Sequence, residues 1–251
     1  MPNILLPTDF SDNAWNAISY ALELFKNEPC KFFFLNVYTP MIYTYDYSFG
    51  GGVVISEAMA GEDVVRKASL EGLNDIMERV AATYPNKKHS FDTLLAYNML
   101  TDEINDIIEK LSIDLIIMGT KGATGAKEIL FGTQTVYVMR KATCPVLAIP
   151  QNYRYDEVDD ILFPNDYKYE YEKSDFDVLK LIAATSNSTV HVFHISHELE
   201  LSAQQIANKT SIDHFFEDIK HDYQDVPDAR VSEAIATYIG SHDIDMVVMT
   251  N

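Results

Sequence analysis

An internal repeat limits the fold of this 251-residue chain more than any other feature of its sequence. Three short apolar segments occur twice in the same order: NILLPTDFSD (3–12) returns as DILFPNDYKY (160–169), FFFLNVY (32–38) as VHVFHIS (190–196), and SIDLIIMGT (112–120) as DIDMVVMTN (243–251). Repeated segments in one order indicate two copies of one structural unit. We therefore predict a first domain at 1–150 and a second at 151–251, joined near the acidic linker RYDEVDD.

Within the first copy, segments typical of strands alternate with segments typical of helices. The predicted strands are NILLPTD, KFFFLNVY, HSFDTLLAYN, DLIIMG and CPVLAIP, and the predicted helices are SDNAWNAISYALELFKNE, AGEDVVRKASLEGLNDIMERVAATY, LTDEINDIIEKLS and TQTVYVMRKA. TPMIYTYDYSFGGGVV has no period and predicts a crossover loop. Alternation at this spacing predicts an α/β fold with two tandem Rossmann-like domains. Each is expected to be an open parallel five-stranded sheet flanked by helices, with the last strand and the glycine loop missing from the second copy.

The composition argues against several classes of partner. The formal charge of −19, from 38 acidic and 19 basic residues, would repel a nucleic acid backbone, and the basic residues form no cluster. The sequence has no apolar run of about 18 residues and no signal peptide pattern, so we expect a cytoplasmic protein without a membrane partner. Cys30 and Cys144 each lie beside a predicted strand, where we expect a buried thiol rather than a disulfide.

A glycine-containing loop follows the predicted fourth strand, in DLIIMGTKGATGAKEILFGTQT at 114–135. Gly119 and Gly122 would let backbone amides approach a ligand, and Lys121 adds a positive charge. Gly132 and Thr133 would begin the next helix with unpaired N–H groups that face an anion. Glycines at such a turn can also serve the turn alone. Because the chain has neither a P-loop motif nor G-x-G-x-x-G after its first strand, a Walker-type NTPase is disfavoured.

The spacing Gly119-x2-Gly122-x9-Gly132-Thr133 resembles the ATP-binding signature of the universal stress protein family. The resemblance extends to KEILFGTQT within the loop, to CPVLAIP after it, and to ILLPTDFSD near the N-terminus. It covers residues 1–150 fully and 151–251 more weakly. It implies a tandem two-domain member with the adenine nucleotide alpha hydrolase-like fold.

The family resemblance also implies which residues bind ATP, with or without Mg²⁺. Asp9 and the backbone at Val37 would hold the adenosine, and Pro7 and Thr8 would shape the floor of the site. The residues that would surround the phosphates and ribose are Gly119, Lys121, Gly122, Gly132, Thr133, Gln134 and Thr135. No catalytic residue and no metal ligand is assigned.

Several of these residues have an ordinary structural alternative. Asp9 has the side chain of an N-cap for the helix that begins near Asp12. Thr133 and Thr135 have side chains that can cap the helix after Gly132, and the head of Lys121 can lie in solvent. The sequence leaves these alternatives open.

The second copy keeps only part of the pattern. Asp166 corresponds to Asp9, and His194 and Ile195 correspond to Asn36 and Val37, whereas Thr250 stands where Gly119 stands. We therefore expect that the second copy does not bind ATP in the family manner. Either the chain continues beyond residue 251, or the second copy is a degenerate structural partner. His191, His194 and His197 suggest a metal site, but residues three apart on a strand lie on opposite faces and cannot share an ion.

Three hypotheses for the function follow from these observations. The first is a universal stress protein whose first domain binds ATP in a regulatory role, with at most slow hydrolysis because no catalytic set is evident. The second is a nucleotide-free module that forms a homodimer through the edge strand CPVLAIP near Val146. The third is a phosphotransferase or ATP pyrophosphatase, which ranks lowest because PTDFSD stands where that class has a glycine- and serine-rich loop.

Overall fold

The computed structural model describes residues 1–38, 56–120, 132–196, 200–227 and 230–250. The chain divides into two compact units, a first unit at 1–155 and a second unit at 156–251. In the described parts of the chain, no helix is both long and apolar enough to cross a membrane.

The first unit is a parallel sheet with helices packed against it. Its strands are β1 (Asn3–Pro7), β2 (Cys30–Tyr38), β3 (His89–Tyr97), β4 (Leu115–Gly119) and β5 (Val146–Ile149), in the order β3-β2-β1-β4-β5. Its helices are α1 (Asp12–Leu24), α2 (Ser56–Thr83), α3 (Leu100–Leu111) and α4 (Thr133–Lys141). The prediction of an open, parallel, five-stranded sheet is confirmed for this unit. Helix α2 begins about one turn before the predicted segment, and the predicted loop TPMIYTYDYSFGGGVV lies outside the described residues.

The second unit repeats this arrangement with fewer strands. Its strands are β6 (Asp160–Pro164), β7 (Thr189–Ser196), β8 (Lys220–Pro227) and β9 (Met246–Val247), in the order β8-β7-β6-β9. Its helices are α5 (Asp177–Ser186), α6 (Ala203–Phe215) and α7 (Val231–Ser241), and a 3₁₀ turn at Lys173–Phe176 precedes α5. The predicted tandem α/β fold is confirmed, and among the described residues the second sheet has four strands.

The core of the first unit forms because its strands are apolar on both faces. On one face, alternate residues Phe33 and Leu35 of β2 pack with Ile104, Ile107 and Ile108 of α3. The isoleucines recur at the three- and four-residue spacing of a helix, so one stripe of α3 enters the core. Each fully buried side chain of this size contributes roughly 1.5–3 kcal/mol.

The two units have equivalent strand orders, and each contains an equivalent hydrogen bond at the start of its first strand. Asn3 N–H donates to the carboxylate of Asp114 at 2.7 Å, and Asp160 N–H donates to the carboxylate of Asp245 at 3.1 Å. In both units, therefore, an aspartate just before the fourth strand holds the start of the first strand. The sequence repeat thus corresponds to a repeat in structure, down to individual hydrogen bonds.

Candidate functional site

The strand order of the first sheet reverses where β1 lies beside β4. β1 pairs with β2 on one side and with β4 on the other, and all three strands are parallel. Their carboxyl ends therefore meet at one edge, where open α/β sheets bind ligands. Of the predicted site residues, Pro7 and Gly119 end these two strands, and Thr8 and Asp9 follow β1 directly.

The turn after β1 is fixed by three hydrogen bonds. Thr8 N–H donates to the carbonyl of Leu35 at 2.8 Å, and Thr8 Oγ1 accepts from Phe10 N–H at 3.1 Å. Asn36 is buried and donates from Nδ2 to the carbonyl of Thr8 at 2.8 Å. Phe10 has a φ of 64°, in the left-handed region. These bonds hold the chain in a sharp bend that directs it away from the sheet edge.

Asp9 is exposed on this turn and does not cap the following helix. Its Oδ1 accepts from the backbone N–H of Ser11 at 3.1 Å and from the Ser11 hydroxyl at 2.5 Å. Ser11 is the N-cap of α1, and its side chain accepts from Ala14 N–H at 3.2 Å. The alternative interpretation of Asp9 as an N-cap is therefore wrong. The Asp9 carboxylate stays exposed beside the strand ends.

Gly119 is required by close packing between β4 and α1. A Cβ at this position would lie 2.4 Å from Asn13 Nδ2 and 2.8 Å from the Asn13 backbone oxygen. No real side chain makes such contacts without displacing its neighbour. The absence of a side chain at 119 thus brings the first turn of α1 against the end of β4. Asn13 Oδ1 is buried here without a hydrogen-bond partner among the described residues.

Helix α4 begins beside the end of β4 with an uncapped N-terminus. Its N-cap is Gly132, and no side chain of the described residues bonds to the free amides of the first turn. Thr135 is buried and donates from Oγ1 to the carbonyl of Gly119 at 3.0 Å, whereas Thr133 and Gln134 are exposed. Neither threonine caps the helix, so that alternative is also wrong. The N-terminus of α4 keeps its partial positive charge and its free N–H groups.

The backbone N–H and C=O of Val37 lie beyond the end of β1 and are not paired with it. β1 pairs with β2 only as far as Leu35. Peptide groups two residues apart on a strand point to the same side, so the N–H and C=O of Val37 point to the side where β1 has ended. The Val37 side chain packs against the apolar core below. The predicted residues Lys121 and Gly122 lie outside the described residues.

Three polar residues at this edge were not among the predicted site residues. Asn36 and Asn13 make the contacts given above, and Thr120 is fully buried with no hydrogen-bond partner for its hydroxyl among the described residues. A polar residue within the apolar run FFFLNVY was a usable signal for Asn36. No such signal marks Asn13, because its neighbour Gly119 lies far away in sequence.

The second unit forms the same turn after β6. Asn165 N–H donates to the carbonyl of Phe193 at 2.9 Å, and Asn165 Oδ1 accepts from Tyr167 N–H at 2.7 Å. Tyr167 has a φ of 59°, as Phe10 does in the first unit. His194 takes the place of Asn36, with its Nδ1 at 2.9 Å from the carbonyl oxygen of Asn165. The second unit thus has the same turn, held by different side chains.

The fourth strand of the second unit ends differently. Thr250 replaces Gly119, and its Oγ1 lies 3.0 Å from the hydroxyl of Tyr171. Asn165 Nδ2 donates to the same hydroxyl at 2.8 Å. Thr250 is exposed, and the segment between β6 and the 3₁₀ turn supplies Tyr171 beside it. No counterpart of α4 occurs among the described residues of this unit.

Comparison with known proteins agrees with this geometry. The model of the universal stress protein family matches residues 1–150. The chain belongs to the universal stress protein family. The universal stress protein YxiE of Bacillus subtilis is 28% identical over 148 residues, which cover 58% of this chain and 97% of YxiE. The universal stress protein MJ0531 of Methanocaldococcus jannaschii is also 28% identical over 148 residues, covering 58% of this chain and 80% of that protein.

One solved universal stress protein resembles the chain over both units. The protein from Archaeoglobus fulgidus DSM 4304 is 18% identical with a TM-score of 0.68, and the match covers 98% of this chain and 85% of that one. At this identity the likeness concerns the fold alone. It supports a tandem arrangement in this universal stress protein.

The described residues of this universal stress protein contain no group of three histidine, cysteine or acidic side chains placed to hold a metal ion. Asp9 is one carboxylate at the candidate site.

Proposed function

We propose that the first unit binds an adenine nucleotide at the carboxyl ends of β1 and β4, and that nucleotide binding gives this universal stress protein a regulatory role in the stress response. The observation that carries the proposal is the hydrogen bond from Thr135 to the carbonyl of Gly119. It places the uncapped N-terminus of α4 at the edge where Asp9 is exposed. Free amides at a helix N-terminus bind phosphate.

Each part of the site has a role that suits its chemistry. The first-turn amides of α4 and the hydroxyl of Thr133 donate to phosphate oxygens, and Gln134 lies beside them. The Asp9 carboxylate accepts from the ribose hydroxyls or the adenine amino group, and the backbone of Val37 offers both a donor and an acceptor to the base. In this proposal, Lys121 and Gly122 take their roles from the family resemblance alone.

A charge substitution at the helix N-terminus tests the phosphate half of the site. Gln134→Glu changes one exposed side chain without changing its size, and a carboxylate in the first turn of a helix favours folding. Its negative charge opposes the phosphates by about 1–2 kcal/mol. We expect ATP affinity to fall roughly tenfold, and adenosine affinity to stay unchanged, in isothermal titration calorimetry.

A matched control adds the same charge elsewhere on the first unit. Asn74 is exposed on α2, and Asn74→Asp is expected to leave the affinities for ATP and adenosine at their wild-type values. Equal loss in both variants would show a long-range charge effect only. Unchanged ATP binding by Gln134→Glu would remove α4 from the site, and the proposal with it.

The edge strand β5 favours a second, compatible role. β5 pairs with β4 alone among the described strands, and its residues Val146, Leu147 and Ala148 are only half-buried. We propose that two copies pair through this strand to form a homodimer, since an unpaired strand edge is a template for a further strand. Light scattering on a size-exclusion column tests this: Ala148→Pro removes an N–H on the side of β5 that faces away from β4, and it is expected to give a monomer.

A further inference from the structure

His191 lies between two carboxylates on the sheet of the second unit. It belongs to β7, which pairs with β6 on one side and β8 on the other. Its Nε2 is 2.8 Å from Asp160 Oδ1, and its Nδ1 is 2.9 Å from Asp222 Oδ1. A neutral imidazole has only one N–H and cannot donate to both carboxylates. The geometry therefore fits the imidazolium, which donates from both nitrogens.

The surroundings of His191 favour the same protonation state. The side chain is 14% exposed. Burial lowers the pKa of His191, but the hydrogen bonds to Asp160 and Asp222 and their negative charges outweigh it, so the pKa lies above 6.5.

Four other polar or titratable groups lie near this cluster. The ring of Tyr238 is 6.5 Å from the ring of His191, centroid to centroid, and His242 stacks on Tyr238 at 4.0 Å. Gln224 Nε2 lies 3.4 Å from Asp222 Oδ1, and Asp245 accepts from the backbone N–H of Asp160.

In the first unit, the carboxylate at the equivalent position pairs with a lysine instead of a histidine. Asp92 stands on β3 where Asp222 stands on β8, and Phe33 stands where His191 stands. The partner of Asp92 is Lys31 of β2, at 2.7 Å. Lysine titrates near pH 10, far above the range in which histidine changes charge. The strand-to-strand charge pair of the first unit is thus permanent, whereas that of the second unit depends on one proton.

We propose that His191 is a protonation switch that makes the second unit, and not the first, lose stability as the solution becomes alkaline. With the proton bound, one cation joins three neighbouring strands. Without it, Asp160 and Asp222 remain close to each other on one face with no cation between them, and one ring nitrogen loses its donated hydrogen bond.

The direction of the effect follows from the sign of the shift. The pKa of His191 is higher in the folded than in the unfolded chain, so the native state keeps a proton that the unfolded state has released. The stabilisation is complete below pH 6.5, the unfolded value, and is lost as the pH rises through the folded value. Within that window, the opening equilibrium of the second unit rises by up to about tenfold per pH unit.

Two measurements on the full chain test the switch. In a ¹⁵N titration of the folded chain, the His191 ring is expected to change from imidazolium to neutral imidazole at a pH above 6.5, the unfolded value. Hydrogen exchange, corrected for intrinsic rates at each pH, is expected to show falling protection in β7 and β8 above pH 6.5, with β2 and β3 of the first unit unchanged.

Variants separate the switch from a general effect of pH. His191→Gln cannot be charged, and we expect it to abolish the pH dependence of protection in β7 and β8. His214→Gln changes an exposed histidine paired with Glu217 and is expected to keep that dependence. If His191→Gln does not fold, Asp222→Asn is expected to lower the pKa of His191 in the same ¹⁵N titration. A His191 ring that loses its proton at or below pH 6.5 in the folded chain, or a wild-type pH dependence in His191→Gln, overturns the proposal.

Discussion

Gly119→Ala tests whether the glycine at the end of β4 serves packing as well as ligand access. The new Cβ would lie 2.4 Å from Asn13 Nδ2 and 2.8 Å from the Asn13 backbone oxygen. The side-chain contact can be relieved by a rotamer change, but the backbone contact requires α1 to move by several tenths of an ångström. Overpacking of this kind costs about 1–3 kcal/mol, and we expect the free energy of unfolding of the first unit to fall by that amount.

The single tryptophan of the chain provides the assay. Trp15 lies on α1, two residues after Asn13, with the guanidinium of Arg79 at 3.7 Å from its ring centroid and Tyr84 beside it. Its fluorescence in a urea titration therefore reports unfolding of the first unit. Because the double variant Gly119→Ala, Asn13→Ala removes only the side-chain contact, we expect it to recover part of the lost stability.

Gly240→Ala is the matched control for the same chemical change. Gly240 lies near the end of α7, and a Cβ there would meet no atom within 4 Å. Alanine is the better helix former, so this variant is expected to be neutral or stabilising, by up to about 1 kcal/mol, in circular dichroism melts. A loss of less than about 0.5 kcal/mol in Gly119→Ala would refute the packing argument and leave ligand access as the reason for the glycine.

Two further predictions concern the turn after β1. Asn36→Ala removes the buried donor to the carbonyl of Thr8 and is expected to cost about 1–3 kcal/mol in the Trp15 urea titration, whereas a change within 0.5 kcal/mol would mean that water replaces the amide. Asp9→Asn keeps an oxygen for the bond from Ser11 but loses the charge. We expect Asp9→Asn to lower the affinity for both adenosine and ATP. Asp166→Asn, its counterpart in the second unit, is expected to change neither affinity. Equal effects of the two substitutions on these affinities would place the ligand elsewhere.

The repeat and the hydrophobic patterns were sufficient to predict the fold. Strands such as FFFLNVY are apolar on both faces because helices cover both sides of a parallel sheet, and this requirement acts on each strand separately. The alternation of strands and helices predicts a parallel sheet with right-handed crossovers, but the order β3-β2-β1-β4-β5 comes from the structure. Helix ends were less well predicted: α2 begins at Ser56, about one turn before the predicted segment, although serine is a residue type that suits a helix start.

The sequence indicated which residues to consider for the candidate site, but not the contacts that each of them makes. The glycine spacing predicts a ligand near Gly119, whereas the contact that the structure shows for Gly119 is with Asn13, which no local sequence pattern connects to it. Asp9 and Ser11 are both good N-cap residues, and only the structure shows that Ser11 is the cap and that Asp9 supports the turn. Sequence identifies residue types that suit a role, whereas contacts across the fold decide which role is taken.

Comparison of the two units separates contacts that belong to the fold from contacts that can belong to a ligand. Asp166 accepts from Lys168 N–H at 3.0 Å as Asp9 accepts from Ser11 N–H, so the turn alone explains an aspartate at both positions. What differs is the end of the fourth strand: Gly119 there accepts a hydrogen bond from α4, whereas Thr250 contacts Tyr171. We therefore expect the proposed nucleotide binding to depend mainly on the N-terminus of α4, with Asp9 adding specificity from a turn that forms in both units.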